Sequence, residues 1–320
     1  MNTDDARFVE ARIHGFRVRP RGPPRNDMPL GERNAKPAPR RGEVFLDHTA
    51  FFVPAMEAAG EALERCGFRL TPFTVQTNRE GGATVPSGTG NRCAMFRNGY
   101  LEVLTATHDT PLSAQLRERI ADHAGLHLAA FATADAASEH RRLGEVGFPA
   151  LPLVDMRRPV GDDFARFTIA RIAHGTMPEG RAQFLTHHTE PLVWLPDMLD
   201  HPNGAAALTA LWIAADDPAE PAERYAHFTG RSAKPQGAVT TIPLDRGTMN
   251  FATPGYLKNA LGIEPAGSMP CLVAASIAVA GLGQLEACLA GSGVPYRNVA
   301  FGIAVTLPVG LGDTLLFHEA

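Results

Sequence analysis

An α+β fold of four repeated β-α-β-β-β modules is the prediction, and three observations carry it. Strand-like apolar runs open near Leu46, Leu126, Leu208 and Leu272. An Ala-rich helical pattern follows each run, and a glycine after each helix leads into further strand-like runs. The starts lie too far apart for a solenoid repeat, and each unit carries its own strands. Such units argue for curved sheets with helices on their outer faces.

The first module runs from Leu46 to Val53 and then into a helix from about Ala55 to Cys66. Met56, Ala59, Leu63 and Cys66 fall on one helical face, with Glu57, Glu61 and Glu64 on the other. Gly67 suits the left-handed position just past a helix end. The second runs from Leu126 to Ala132, a helix through Ala136, His140 and Leu143, and Gly147. The third has Ala219, Ala222, Tyr225 and Ala226 on its helix and then Gly230. The fourth places Leu282, Leu285, Cys288 and Leu289 on a helix that ends before Gly293.

At 320 residues, two globular units are expected, 43–204 and 205–320, after an N-terminal tail at 1–42. That tail alternates arginine with Pro20, Pro23, Pro24, Pro29, Pro37 and Pro39, a composition that buries little apolar surface. It reads as disordered, with Met28 as an alternative start. It holds ten Lys/Arg against five Asp/Glu, whereas the whole chain carries a net charge of −4, which speaks against a nucleic-acid partner. No apolar run is long enough to span a bilayer; Pro270 to Leu285 is interrupted by Gly281 and Gly283. Cys66, Cys93, Cys271 and Cys288 form no CxxC pair, so free thiols in a reducing cytoplasm are expected.

Chemistry-bearing residues gather at strand ends. His187 and His188 close the run Gln183 to Glu190; His48 lies in the first strand, beside Asp47; Glu102 sits between Leu101 and Val103. Imidazole and carboxylate are the usual ligands for a divalent metal that keeps positions open for substrate. Consecutive strand residues face opposite sides, so one of His187 and His188 is expected to point inward, and which one is open. Asn91 and Arg92 serve a turn or a substrate; Arg92 suits a substrate carboxylate by a forked contact. Trp194 and His201 are expected to anchor the connection between halves. His123, His140, His174 and His227 read as surface positions, and His318 and Glu319 as tail residues.

The ordered set Asp47-His48, Gly88-Thr89-Gly90-Asn91-Arg92, Tyr100-Leu101-Glu102 and His187-His188-Thr189 resembles the glyoxalase-like branch of the vicinal oxygen chelate superfamily. The resemblance spans roughly residues 44–320. It implies two cup-shaped glyoxalase/dioxygenase-like halves, with ligands from the first and last strands of paired modules. By position, His48 and Glu102 match the first module's ligands, and His187 or His188 the last strand of the second. The second module departs from a four-ligand pattern, since Leu128 stands opposite His48 and His127 falls one residue off. Modules three and four open without His or Glu and read as structural or as a lid.

The activity this implies is that of a metal-dependent enzyme, with Zn, Fe, Mn or Ni and Glu102 as the catalytic carboxylate. Lyase or isomerase chemistry on vicinal oxygens of a small substrate comes first. A ferrous ring-cleaving dioxygenase, with two histidines and one carboxylate as ligands, is the alternative. A metal-free binding or resistance protein, presenting Phe51, Phe96 and Trp194 to its ligand, stands third. A small-molecule substrate is the expected partner, with a homodimer open as an assembly.

Overall fold

The computed structural model describes residues 38–80 and 82–320, and four β-α-β-β-β modules run through them in order. The expected tail at 1–42 falls mostly outside the described residues. Module one comprises β1 (Val44–Phe52), the helix Met56–Arg65, β2 (Thr74–Glu80), β3 (Ala83–Met95) and β4 (Tyr100–Ala106). Module two comprises β5 (Gly125–Thr133), the helix Ala136–Glu145, β6 (Val154–Val160), β7 (Asp163–Arg171) and β8 (Arg181–His187). Module three has β9 (Ala205–Ala214), the helix Ala219–Thr229, β10 (Lys234–Gln236), β11 (Val239–Pro243) and β12 (Thr248–Ala252). Module four has β13 (Cys271–Val279), the helix Leu282–Gly291, β14 (Arg297–Val299), β15 (Gly302–Thr306) and β16 (Thr314–Glu319). All four opening strands start within a few residues of the expected leucines, because hydrophobic periodicity is a local signal.

The first two modules close into an eight-stranded barrel, in the order β1-β4-β3-β2-β6-β7-β8-β5. The last two form an open eight-stranded sheet, β10-β11-β12-β9-β13-β16-β15-β14. Strand alternation divides the apolar residues into three cores. One fills the barrel, around Phe52, Met95, Leu116, Leu128, Phe167 and Leu185. A second lines the cup of the open sheet, around Trp212, Leu257, Val273 and Leu316. The third, the largest, lies between the halves and under the helices, and residues of all four modules share it. There Phe228 stacks on Phe184 at 5.0 Å, and Phe68 on Phe317 at 6.1 Å.

Gly67 ends the first helix at φ 84°, as expected of a left-handed cap. A Cβ there would stand 2.4 Å from Cys288 Sγ and 2.8 Å from Asn203 Cβ, so no other residue fits. The helix Pro111–Asp122, which joins the first two modules, is an addition to the expected pattern. Its start is a reciprocal cap: Thr110 accepts from the Ser113 amide while Ser113 accepts from the Thr110 amide. Trp194 and His201 do anchor the connection. Trp194 Nε1 donates to the Phe96 carbonyl at 3.0 Å, and His201 bridges the Arg69 amide and the Met95 carbonyl. All four cysteines are free, and burial pushes the Cys66, Cys93 and Cys271 thiols up to about 12. No helix among the described residues is long and apolar enough to cross a membrane.

Candidate active site in the barrel

The barrel interior is where the sequence-chosen residues meet, and strand register decides which of them enter. On β4, Tyr100, Glu102 and Leu104 face inward, and on β3 Asn91 and Cys93 do so. Arg92, the next residue, therefore faces out. It holds Glu64 of the first helix at 2.7 Å and the Thr71 carbonyl at 3.0 Å, away from the cavity.

On β1 a bulge breaks the alternation. Against β5, Leu46 pairs with Phe131 and His48 with Ala130, so Asp47 is an extra residue. Asp47 and His48 can then meet instead of facing opposite ways. Asp47 Oδ2 lies 2.8 Å from His48 Nδ1, and Asp47 is fully buried. A carboxylate on Nδ1 fixes the imidazole's orientation and leaves Nε2 for the interior. His48 Nε2 lies 3.8 Å from Glu102 Oε2, and Tyr100 stacks on the His48 ring at 4.3 Å. Burial, with Asp47 and Glu102 nearby, holds the Tyr100 hydroxyl well above its ordinary pKa.

Glu102 is held from one side. Its Oε1 accepts from Asn91 Nδ2 at 2.5 Å and from Gln76 Nε2 at 3.1 Å, and Gln76 in turn accepts from Thr89 at 2.6 Å. Oε2 is left facing His48. This satisfies a carboxylate that is only 6% exposed.

Of the histidine pair, His187 is the inward member. Its ring packs against Phe167 and Trp194, and Nε2 lies 3.1 Å from both oxygens of Asp47. It thus ends at Asp47, on the far side of His48 from Glu102. His188 is exposed and shares a hydrogen bond with Thr168 Oγ1. The structure brings His48 and Glu102 together, and places His187 behind them and His188 outside.

Gln183 was missed in the sequence. It lines the same cavity, of about 50 Å³, with His48, Glu102 and Tyr100, and its buried Oε1 has no partner. Register explains its place. Across β1 and β4, His48 pairs with Tyr100 and Ala50 with Glu102; across β5 and β8, Leu128 pairs with Arg181 and Ala130 with Gln183. Gln183 is thus the second module's counterpart of Glu102, and Leu128 that of His48. No group of three His, Cys, Asp or Glu suited to a metal forms among the described residues; Gln183 adds an unpartnered amide oxygen to this cavity, whose polar lining also includes Gln76, Asn91, Tyr100 and Arg158. One imidazole nitrogen, one carboxylate oxygen and one orphaned amide oxygen on a single cavity are a donor set that fits a divalent ion with open positions.

Other histidines depart from expectation. His123 is buried rather than on the surface, packed on His127 at 4.3 Å, because the end of the helix Pro111–Asp122 turns it inward. Burial lowers His127 to about 4, and its Nε2 bonds the His123 carbonyl. His318 lies in the second cup, sharing a hydrogen bond of 2.8 Å with Thr209 Oγ1.

A paired-module barrel beside an open cup defines the fold class as that of the vicinal oxygen chelate superfamily. The family model for the glyoxalase-like domain matches residues 46–229, and this chain belongs to that family, within the vicinal oxygen chelate superfamily. Among curated proteins, none matches the chain by sequence. Solved structures share the fold at low identity. A hypothetical protein from Staphylococcus aureus is 9% identical with a TM-score of 0.60, covering 87% of this chain and 99% of its own. A triple mutant of 4-hydroxymandelate synthase from Streptomyces coelicolor is 15% identical with a TM-score of 0.50, covering 86% and 91%. A xylose isomerase-like TIM barrel/4-hydroxyphenylpyruvate dioxygenase fusion protein is 12% identical with a TM-score of 0.51, covering 88% of this chain and 49% of the fusion.

Proposed function

We propose that the barrel is the active site of a metal-dependent enzyme acting on vicinal oxygens of a small substrate, by lyase or isomerase chemistry. The observation that carries this reading is the orphaned Gln183 Oε1 on one cavity with His48 and Glu102. These three residues would hold the ion, and as a Lewis acid it would polarise the substrate oxygens. Asp47 keeps His48 in the tautomer that presents Nε2. Asn91 and Gln76 hold Glu102 by Oε1, so that Oε2 is the atom presented to the ion or, when free of it, to a substrate proton. Tyr100 covers the imidazole face and keeps water from it.

The dioxygenase alternative asks two histidines and one carboxylate to share an ion. His187 is occupied with Asp47, which favours the non-redox reading. Of the aromatic residues that binding without catalysis would present, Phe51 and Phe96 are buried in the core between the halves, and Trp194 packs in the barrel core on Tyr100 and His187.

Manganese(II) titration of wild-type protein and Gln183→Leu tests the ligand set. Removing the amide oxygen is expected to weaken binding by at least about tenfold, as losses around metal sites do. Equal affinity in the two proteins would remove Gln183 from the set.

A further inference from the structure

A second cavity opens at the other end of the barrel, under the helix Pro111–Asp122, with a volume of about 210 Å³. Arg171 on β7 and Arg181 on β8 project into it from the barrel wall, and Arg119 stands on the covering helix. Arg119 is already engaged, donating to the Pro178 carbonyl at 2.9 Å. Arg171 and Arg181 are not. Among the described residues neither guanidinium has a hydrogen-bond acceptor or a carboxylate within ion-pairing distance, and Arg171 Nε is buried without a partner. Arg181 lies over the Phe52 ring, 5.3 Å from its centre, which fixes its direction but supplies no anion.

Two cations side by side in a largely enclosed place are costly unless something pairs them. An arginine guanidinium keeps its proton at any ordinary pH. Both are charged at neutral pH. Glu102, the acid that offsets them, belongs to the His48 cluster, and Glu118 at the rim is exposed and pairs with His174. Besides Gln115 and His174 the lining offers an apolar wall of Leu112, Leu151 and Ile172.

We propose that this cavity binds an organic carboxylate, its anionic end on the Arg171 and Arg181 guanidinium groups and its hydrocarbon end against Leu112, Leu151 and Ile172. The planar fork of arginine matches a carboxylate with two parallel hydrogen bonds. The volume equals the liquid share of about seven waters, more than a bare inorganic oxyanion fills. This site does not depend on a metal between His48 and Glu102.

Benzoate is the probe, titrated by calorimetry into the full chain, with benzamide as the neutral analogue and sulfate as the inorganic anion. Benzoate should bind; benzamide should bind at least about tenfold more weakly because it leaves the charges unmatched, and sulfate at least about tenfold more weakly because it leaves the apolar wall uncovered. Arg181→Met and Arg171→Met should each weaken benzoate by a similar factor, with Arg181→Lys retaining part of the affinity. Without ligand, Arg181→Met should melt no lower than wild type, because an unpaired, half-buried cation has been removed. Three results would overturn the proposal: no benzoate binding to wild type, undiminished binding to Arg181→Met, or sulfate binding as well as benzoate. A lower melting temperature in Arg181→Met would also count against it, since that marks a structural arginine.

Discussion

The two halves are built from the same module yet close differently, and the difference decides what each can hold. In the first half β2 and β6 are seven residues long and meet at Thr77–Arg157 and Asn78–Met156, which shuts the barrel. In the second the corresponding strands, β10 and β14, have three residues each and remain the sheet's two edges. Closure excludes water, and charges placed in such an interior act strongly on one another. The barrel accordingly carries Asp47, Glu102, Arg171 and Arg181. The open cup has a larger cavity, about 490 Å³, and no Asp, Glu, Lys or Arg among its described lining residues. Its polar groups satisfy one another: Trp212 Nε1 donates to Ser276 Oγ at 2.9 Å, and Thr241 donates to Asn250 at 3.0 Å. The length of one strand per module thus separates a barrel with charged side chains inside from a neutral cup.

The largest effect expected concerns what the halves have in common. Phe228 of the second half is fully buried against Phe131, Phe148 and Phe184 of the first. Phe228→Ala should cost about 3–5 kcal/mol and lower the melting of both halves in one transition. Two separate calorimetric transitions, with only the second shifted, would show that the halves stand independently.

A smaller, pH-dependent effect sits at the same junction. Asp313, in the turn before β16, accepts from the Leu126 amide of β5 at 2.5 Å. Burial raises its carboxyl from 3.8 to about 7, partly offset by that amide. The folded state therefore holds a proton that the unfolded chain releases near 3.8. Stability from this group is fully present below about pH 4 and is lost as pH rises towards 7. Asp313→Asn keeps the acceptor and removes the titration. Its stability relative to wild type should rise between pH 4 and 7, measured by denaturant unfolding, and a constant difference would refute the assignment. His127, lowered to about 4, acts in the opposite sense in both proteins and cancels in the difference.

The smallest effect is expected outside the barrel. His188→Ala removes an exposed ring whose partner is Thr168, and should change stability by no more than about 0.5 kcal/mol. His187→Ala removes one of the two histidine partners of the buried Asp47 carboxylate and should cost more, about 1–3 kcal/mol. A larger loss in His188→Ala than in His187→Ala would mean the inward and outward members have been exchanged.

What the sequence made legible was local. Leucine-led strands, helix faces and the Gly67 cap each depend on a few neighbouring residues, and His48, Glu102 and Asn91 stood out by chemistry. The rest depends on pairing between strands. The bulge that turns Asp47 towards His48 is visible only in the register of β1 against β5. Gln183 carries no charge to mark it, and becomes the counterpart of Glu102 only once β5 is laid beside β8. Arg171 and Arg181 look like ordinary strand-end arginines until closure puts them inside. Arg92 erred for the same reason, since an alternating strand that admits Asn91 must turn its neighbour out.

The central claim, that the closed barrel and not the open cup holds the ion, is tested most directly by metal titration of three proteins. Wild type, Glu102→Gln in the barrel and Ser276→Ala in the cup should be titrated with manganese(II) after chelation, with binding read from the loss of the free-ion resonance. The account predicts one ion per chain for wild type and for Ser276→Ala, and affinity reduced at least about a hundredfold in Glu102→Gln, where the charge is lost and the shape kept. Wild-type protein that binds no divalent ion, or Glu102→Gln that binds it as wild type does, would contradict the account.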